Sequence, residues 1–327
     1  MESEINKIHE KEKHRESPSG FHYYMLYEDC KRKWHLKYVH GLRPEKKSSP
    51  LVFGSAWHEG KARYWQGKDG KSPYDSEGFI KVFKDTLNEM KDEYLDPAAF
   101  QEDMNKGLRL IDDWLITWDE VNKQTLKPVM VEEELKIPIG PNGEFIFTVR
   151  PDVVLWDKER RKYLVEDSKS TGWSLNMVFA TQELGDQMTS YIWALDKVHP
   201  EWKIETARID GSYARQSKVA SQRSLEIYRS KQDLMLFEMN LYGIIMEVSQ
   251  KYKSLQKYPW PLLFPRNGGQ CYKYNRPCEY SEICRRNLKL GEIPIGFTHD
   301  PWVELDEKMK IAQGISMDKF LLEEKND

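Results

Sequence analysis

Two extended runs joined by a short polar reversal constrain this chain most. Residues 152–156 and 162–169 are typical of strands, and the polar residues 157–161 between them have the length of a hairpin connection. Successive residues of a strand point to opposite faces of its sheet. Asp167 and Lys169 are therefore predicted to share one face of the second run, with Glu166 and Ser168 on the other.

The register of this hairpin brings two carboxylates together. A reversal centred between Glu159 and Arg160 places Asp152 directly opposite Asp167. Cross-strand neighbours have Cβ atoms about 4.5–5.5 Å apart, so two such carboxylates repel each other unless a cation lies between them. Mg²⁺ or Mn²⁺ suits oxygen ligands of this kind. The pair therefore predicts a divalent cation site.

Lys169 would stand beside that cation. A lysine there orients or deprotonates an attacking water, or stabilises the charge that develops on phosphorus. A bound cation polarises a phosphate, so the expected reaction is hydrolysis of a phosphodiester. The alternative is a polar hairpin with an ordinary Asp–Lys ion pair. The apolar residues 163–165, which lead into this charged end of the strand, favour a site over that alternative.

Composition permits a packed core and adds little on function. Hydrophobic residues make up 39% and charged residues 31% of the 327 residues, which is typical of a globular chain. The net charge of -3 gives no support for nucleic-acid binding, although it allows a local basic groove. No run of 18 apolar residues and no signal-peptide core occurs, so we expect a cytoplasmic protein, or one in the host cytoplasm if phage-encoded, that makes no membrane contact.

Apolar periodicity and turn residues divide the chain into six segments. Helices are expected at 76–124, with a break at Pro97, and again at about 180–198 and 222–250. Strands are expected at 129–139, 144–149 and 203–213, in addition to the hairpin. The predicted segments are a charged arm (1–16), an N-terminal segment with Cys30 and His58 (17–75), a helical insertion (76–125), a core (126–258), a Cys-rich segment (259–302) and a charged tail (303–327).

Three further side chains fit the predicted cation site. Gln187 and Tyr191 are four residues apart on a predicted helix, so they project from one face and can reach a phosphate or Lys169. His58 follows the small residues Gly54 and Ser55, a predicted turn that would put its ring near the start of a helix. Taken alone, each feature is equally typical of an ordinary amphipathic helix or a packed histidine.

The order of four motifs resembles the RecB-type branch of the PD-(D/E)XK nuclease superfamily. They are Gly54 with His58, Pro151 with Asp152, Asp167 with Lys169, and Gln187 with Tyr191, and the resemblance covers residues from about 17 to 290. It implies that His58, Asp152, Asp167 and the Ser168 carbonyl bind the metal and that Lys169 is catalytic. It also implies that Gln187 and Tyr191 support the site and contact DNA.

The resemblance carries expectations about fold and partners. It implies an α/β (α+β) restriction-endonuclease-like core, a short mixed sheet flanked by helices, with an N-terminal helical insertion and a Cys-rich C-terminal segment. The expected activity is exonuclease-like cleavage of DNA at single strands or ends, with a helicase or recombination protein as a possible partner; the oligomeric state is left open. One acid of residues 132–134 is expected to match a glutamate that this family often carries, although an exposed strand also explains the run.

Four cysteines suggest a second site. Cys271, Cys278 and Cys284 lie within 14 residues of one another, whereas Cys30 stands far upstream. Structural disulfides are not expected inside a cell, and four thiols can hold a 4Fe–4S cluster or one zinc ion. The pattern is similar to that of AddB-like and CRISPR-associated iron–sulfur nucleases, which implies a structural cluster that staples the ends of the domain. The six-residue gap after Cys271 departs from the usual two, which leaves zinc open.

Two other readings of the chain compete with a nuclease. The chain can be a nuclease fold that has lost activity and serves as a DNA-binding or scaffold module. It can also be a zinc-stapled protein whose hairpin is only structural. The intact set of Asp152, Asp167 and Lys169 favours an active enzyme.

Overall fold

The computed structural model describes residues 20–300 except 216, 256, 274, 275, 287 and 289–291. The predicted charged arm (1–16) and charged tail (303–327) lie outside these residues. The chain divides into two compact units. We call residues 46–137 and 149–238 the sheet unit, and residues 1–45, 138–148 and 239–327 the cysteine unit.

Helices and strands occur in groups along the described part of the chain. No helix among the described residues has the length and apolar character of a membrane span. The helices are α1 (Phe21–Asp29), α2 (Lys31–Trp34), α3 (Ser49–Gln66), α4 (Ser76–Glu89), α5 (Ala99–Thr125), α6 (Leu175–Leu184), α7 (Asp186–Val198), α8 (Lys231–Ser254), α9 (Trp260–Leu263) and α10 (Ser281–Cys284), with a π-helical turn at His35–Val39. The strands are β1 (Leu42–Pro44), β2 (Leu126–Val131), β3 (Leu135–Ile139), β4 (Phe145–Val149), β5 (Val153–Asp157), β6 (Lys162–Thr171), β7 (Thr206–Arg215), β8 (Lys218–Arg223), β9 (Ile227–Tyr228), β10 (Tyr272–Lys273), β11 (Arg276–Pro277) and β12 (Phe297–His299).

A six-stranded mixed sheet is the centre of the sheet unit. Its strands run in the order β2-β5-β6-β7-β8, and β9 also pairs with β7. Only β6 and β7 are parallel; the other pairs are antiparallel. In the hairpin, Val153 pairs with Glu166 and Val154 with Val165, which confirms the predicted register. The expected α/β class with a short mixed sheet flanked by helices is also confirmed.

The two faces of the sheet carry different layers of helices. On the face that Glu166 shares, aromatic side chains of α3, α4 and α5 pack against Val153 and Leu164. On the other face, α7 places polar side chains over Asp167. Burying one face under an aromatic core and the other under a polar helix makes β6 almost inaccessible along residues 164–168.

Three local predictions were wrong because long-range contacts override local pattern. The helix expected at 180–198 breaks at Gly185, where the Arg229 guanidinium donates hydrogen bonds to the backbone carbonyls of Glu183 and Gly185. Residues 222–228 pair with β7 as strands, so α8 begins only at Lys231. Gly54 lies inside α3 and not in a turn, because that helix begins at Ser49, one residue before Pro50.

The cysteine unit is built around aromatic side chains and short strands. The Trp34 ring stacks on Phe264 with centroids 5.6 Å apart and meets Tyr27 edge-on at 5.2 Å. Strands β1 and β12 pair antiparallel. A small core beside them contains the buried Leu36 and Ile283. This core is small, as expected of a segment rich in Pro and Gly.

Candidate metal centre

The candidate metal centre lies where β5 begins beside β6. Asp152 immediately precedes β5, and its Oδ2 atom accepts a hydrogen bond from the backbone N–H of Ser168 at 2.7 Å. Hairpin pairing thus holds the Asp152 carboxylate against the part of β6 that carries Asp167 and Lys169. The predicted proximity of Asp152 to this strand follows from a local turn, which explains why the sequence was sufficient to anticipate it.

Three side chains converge there in a set able to hold a metal ion. One ligand atom each of His58, Glu132 and Asp152 lies within 4.8 Å of the others. His58 Nδ1 is 3.0 Å from Asp152 Oδ2, and the side chains of His58 and Asp152 are 32% and 15% exposed. Both side chains are therefore partly accessible to a substrate.

Glu132 reaches the centre through an unusual backbone conformation. It follows β2 directly and has a φ of 50°, in the left-handed region that a glutamate rarely adopts. Its N–H donates to the Asp152 carbonyl at 3.1 Å, and Arg150 Nε lies 3.2 Å from its carboxylate. Strain of this kind is often retained at functional sites, where the surroundings over-determine it. Glu133 and Glu134 are exposed, so only Glu132 of the acidic run belongs to the centre.

Asp167 forms the buried half of the centre. Its side chain is fully buried, and Oδ2 lies 2.5 Å from the Lys169 ammonium. Its other oxygen, Oδ1, accepts from Gln187 Nε2 at 3.3 Å and from the Tyr191 hydroxyl at 3.4 Å. Gln187 and Tyr191 also bond to each other at 3.0 Å. The four residues named by the D-x-K and Q-x-x-x-Y motifs are thus in direct contact.

The acids of the centre titrate at different pH values. Burial and the neighbouring Asp152 charge raise the pKa of Glu132 to about 8. Burial raises the pKa of Asp167 to about 6, although Lys169 opposes the shift. Burial works against ionisation of Asp152 too, but His58 beside it lowers the pKa of that carboxyl. Without a cation, the cluster therefore holds a proton that a metal ion would displace.

The pKa values of the two basic groups of the centre are both raised. Burial disfavours the charged form of Lys169, yet the Asp167 and Asp152 carboxylates raise its pKa above the usual lysine value. Burial likewise opposes the charge on His58, and Asp152 more than compensates, so the pKa of the imidazole is raised. A metal ion bound at His58 would have to displace this proton, whereas Lys169 remains an ammonium group.

This donor set fits a divalent cation that prefers oxygen. Two carboxylates and one imidazole suit Mn²⁺, and the two carboxylates suit Mg²⁺. Burial and the neighbouring Asp152 charge both raise the pKa of Glu132, a shift that a cation between the acids would oppose. Of the residues predicted to bind metal, His58 and Asp152 meet in one cluster; Asp167 points to Lys169, Gln187 and Tyr191; and the Ser168 backbone lies beside Asp152.

The four cysteines lie together in the cysteine unit, and none forms a disulfide. The Asn267 N–H points to Cys30 Sγ at 3.5 Å, and the Cys271 thiol lies 3.6 Å from the Asn267 carbonyl. The Cys278 N–H donates to the Cys271 carbonyl at 2.8 Å. Asn267 therefore connects the distant Cys30 to the C-terminal cysteines.

Cys284, the fourth cysteine, interacts electrostatically with Cys30 and Cys271 of this group. Burial raises the pKa of the Cys278 and Cys284 thiols, and the Cys30 sulfur nearby adds to the rise in both. Thiolates are the form that binds metal, so a bound cation would reverse these shifts. The Arg32 guanidinium donates to the Cys284 carbonyl at 3.3 Å, so the basic run at 31–33 lies next to the cysteines.

The three basic residues at 31–33 have partners within the cysteine unit. Lys31 and Lys33 each lie against a glutamate, at 2.5 and 2.8 Å. Arg32 instead donates to the backbone carbonyls of Pro261 and Phe264. The ion pairs and hydrogen bonds of these three residues lie inside the cysteine unit and connect its segments.

Comparison with known proteins identifies the family of this chain. Residues 20–285 match the sequence profile of the PD-(D/E)XK nuclease superfamily. SSO0001, a protein of known crystal structure, is similar over 79% of this chain and 94% of its own, with 17% sequence identity and a TM-score of 0.32. A comparison with curated proteins finds no match. Because the profile covers most of its length, the chain belongs to the PD-(D/E)XK nuclease superfamily.

Proposed function

We propose that the chain is a metal-dependent nuclease that hydrolyses phosphodiester bonds of DNA, acting in exonuclease fashion on single strands or ends. The observation that carries this proposal is the meeting of His58, Glu132 and Asp152 next to the Asp167–Lys169 pair. Membership of the superfamily supports the reaction class. The RecB- and AddB-like motif order supports DNA as the substrate and a helicase or recombination protein as a partner.

Each residue has a distinct task in this proposal. A divalent cation held by His58, Glu132, Asp152 and Asp167, with the Ser168 carbonyl as a further ligand, supplies polarisation of the phosphate. Lys169 stays protonated beside Asp167, so it donates hydrogen bonds to the attacking water or to a phosphoryl oxygen and stabilises the developing negative charge.

Gln187 and Tyr191 position Asp167 in this proposal. Both side chains are nearly buried and both donate to the same carboxylate oxygen. They leave Oδ2 to Lys169 and hold the carboxyl plane in one orientation. Because burial keeps the pKa of the Tyr191 hydroxyl well above its usual value, it acts as a hydrogen-bond donor and not as a base.

DNA cleavage with Mn²⁺ tests the assignment. We expect Asp152→Asn, Asp167→Asn and Lys169→Ala to lower the rate of cleavage of labelled single- and double-stranded DNA at least about a hundredfold, the scale of losing one transition-state contact. Lys162→Ala is the matched control, since Lys162 lies on the same strand but pairs with Glu226. Equal rates for wild type and Lys169→Ala would show that the catalytic assignment is wrong.

The same assay addresses an inactive nuclease fold. A DNA-binding or scaffold module would bind the labelled DNA and leave it intact with either Mg²⁺ or Mn²⁺. The contact of Lys169 with Asp167 argues against this reading, because a decayed site has no need to keep a buried carboxylate paired with a lysine.

We further propose that the four cysteines hold a 4Fe–4S cluster with a structural role. Two observations support this proposal. The five-residue gap between Cys278 and Cys284 is similar to that of iron–sulfur nucleases. The Asn267 backbone also contacts the sulfurs of Cys30 and Cys271, so the upstream cysteine lies beside the C-terminal ones.

Absorption and metal content distinguish the two. Anaerobically purified protein should show a broad band near about 400 nm, where thiolate-to-iron transitions of such clusters fall, and should contain iron. Cys278→Ala should lose both the band and the iron. Stoichiometric zinc without that band would show that the zinc reading is the right one.

A further inference from the structure

The end of β6 beyond the metal centre presents an exposed tryptophan. Trp173 is 53% exposed and stands four residues after Lys169. At a rise of about 3.3 Å per residue, its backbone is at most about 13 Å from that of Lys169. A nucleic-acid strand bridges such a gap with a few nucleotides. Trp173 is therefore within reach of a nucleic-acid strand that has one phosphate at the metal centre.

The backbone on both sides of Trp173 is fixed, so its exposure is not that of a loose loop. Its N–H donates to the Thr171 side-chain oxygen at 2.9 Å, and Thr171 pairs with Tyr213 in the sheet. Two residues later, Leu175 is buried. The Trp173 ring has no stacking or cation contact among the described residues. A large apolar ring held in place without a partner is suited to contact a ligand.

Two cations lie at the same end of the sheet as Trp173. Parallel pairing sets Thr171 beside Tyr213. The next residue of each chain stays close to the other, because a Cβ atom on Gly172 would lie 3.7 Å from the Ala214 carbonyl oxygen, and Arg215 follows Ala214. Lys218 pairs with Arg215 across the β7–β8 reversal. Both side chains are exposed, and no carboxylate of the described chain lies within 4.0 Å of either.

Arg215 and Lys218 lie on the face of the sheet that carries the metal centre. Asp167, Lys169 and Thr171 share one face of β6, and alternation puts Tyr213 and Arg215 on the same face of β7. Lys218 pairs with Arg215 and therefore shares that face. Residues 169–171 are partly exposed and residues 172–174 are exposed, so an accessible surface leads from Lys169 along the end of β6 to Trp173.

We infer that Trp173, Arg215 and Lys218 form a binding platform for a single-stranded nucleic acid. The platform directs the strand to the metal centre. Trp173 stacks on one base, and the two cations neutralise neighbouring phosphates. A duplex hides its base faces, so it cannot use the ring except at a frayed end. The inference rests on the proposed nuclease function and assigns the residues that bind its single-stranded substrate.

Equilibrium binding without metal tests the platform. The probe is fluorescein-labelled oligothymidylate, with EDTA present so that no cleavage occurs, and the readout is fluorescence anisotropy. Trp173→Ala should weaken binding about 5- to 160-fold, the equivalent of about 1–3 kcal/mol for one base stack, whereas Trp173→Phe should keep most of the affinity. Tyr228→Ala is the matched control, because Tyr228 is an aromatic of similar exposure, 58%, on β9.

Salt dependence tests the cations separately. Each phosphate contact that is lost should reduce the slope of log K against log salt by about 0.7. Arg215→Gln and Lys218→Gln should each show this change, whereas Lys162→Gln should not. A covalently closed duplex should bind wild type and Trp173→Ala equally.

The outcomes separate this inference from the proposed function. If wild type binds and cleaves single strands but Trp173→Ala binds them equally well, the platform is wrong and the nuclease stands. If the slopes of Arg215→Gln and Lys218→Gln match wild type, the cations do not contact phosphate. If wild type neither binds nor cleaves any DNA, the nuclease proposal itself fails.

Discussion

Lys61 forms a buried ion pair on the face of the sheet opposite Asp167. Its ammonium contacts Asp210, and the two side chains are 3% and 0% exposed. Asp210 pairs with Ser168 across β6 and β7, so both side chains lie on the face that packs against α3 and α5. Trp114 Nε1 donates to the same Asp210 oxygen at 2.8 Å, and its ring centre lies 3.5 Å from the Lys61 ammonium. The pair therefore fixes α3 against the strands one turn beyond His58.

Removing Lys61 should destabilise the sheet unit strongly. In Lys61→Met, Asp210 keeps only the Trp114 donor, and its Oδ1 already has no hydrogen-bond partner among the described residues. An unpaired buried charge costs about 3–5 kcal/mol when its partner is removed. We therefore expect the free energy of unfolding of Lys61→Met at pH 7 to fall by about that amount. Lys61→Met/Asp210→Asn should recover most of it, because no buried charge remains.

A partly buried lysine, Lys106, provides the control. Lys106 pairs with Asp103 and lies 4.7 Å from the Phe53 ring centre. Asp103 also accepts hydrogen bonds from Ser49 at 2.7 Å and Tyr94 at 3.0 Å, so Lys106→Met leaves it with two donors. The expected loss is about 1.5–3 kcal/mol, the range for one bond to a charged group.

Urea denaturation followed by circular dichroism gives both free energies, and Mn²⁺ titration by electron paramagnetic resonance reports the metal centre. Lys61→Met should lower Mn²⁺ affinity because α3 carries His58, whereas Lys106→Met should leave it unchanged. The reasoning is refuted if Lys61→Met unfolds at the wild-type urea concentration, or if the double variant is no more stable than the single one.

Further predictions concern the pH dependence, the helix glycines and the metal. The pKa of Glu132 is raised from 4.5 to about 8, so the metal-free folded state keeps a proton that the unfolded state releases. The contribution of this proton to stability is present below about pH 4.5 and is lost as the pH rises to about 8. Thermal melts in EDTA should show that Glu132→Gln reduces the dependence of stability on pH in this range. Gly60→Ala should lower the melting temperature because a Cβ there meets Phe79 at 2.5 Å, whereas Gly54→Ala on the same helix meets nothing within 4 Å and should raise stability by up to about 1 kcal/mol. Mn²⁺ at a hundred times its dissociation constant should stabilise wild type by about 2.7 kcal/mol and leave Asp152→Asn nearly unchanged; an equal shift in both would place the ion elsewhere.

Local rules were enough to find the hairpin and its acids. Alternation along a strand put Asp167 and Lys169 on one face, and the centre of the reversal put Asp152 opposite them. A local rule also paired Gln187 with Tyr191, since residues four apart on a helix share a face. These relations span only a few residues, so the sequence expresses them directly.

Glu132 illustrates what local rules could not provide. The acidic run 132–134 is equally consistent with an exposed strand, and nothing in it distinguishes its first member. The left-handed backbone at Glu132 and its hydrogen bond to the Asp152 carbonyl arise when β2 pairs with β5. The breaks at Gly185 and before Lys231 likewise depend on Arg229 and on β7, which are distant in sequence or follow from sheet pairing.

By itself, the sequence determined which acids face each other and which lysine accompanies them, and it predicted that four cysteines share a metal. Only the tertiary structure decided which further groups join those acids. It brought Glu132 to His58, closed Gln187 and Tyr191 over Asp167, and set Lys61 against Asp210. The physical reason is that strand and helix periods act between near neighbours, whereas burial and desolvation depend on every element that packs against a residue.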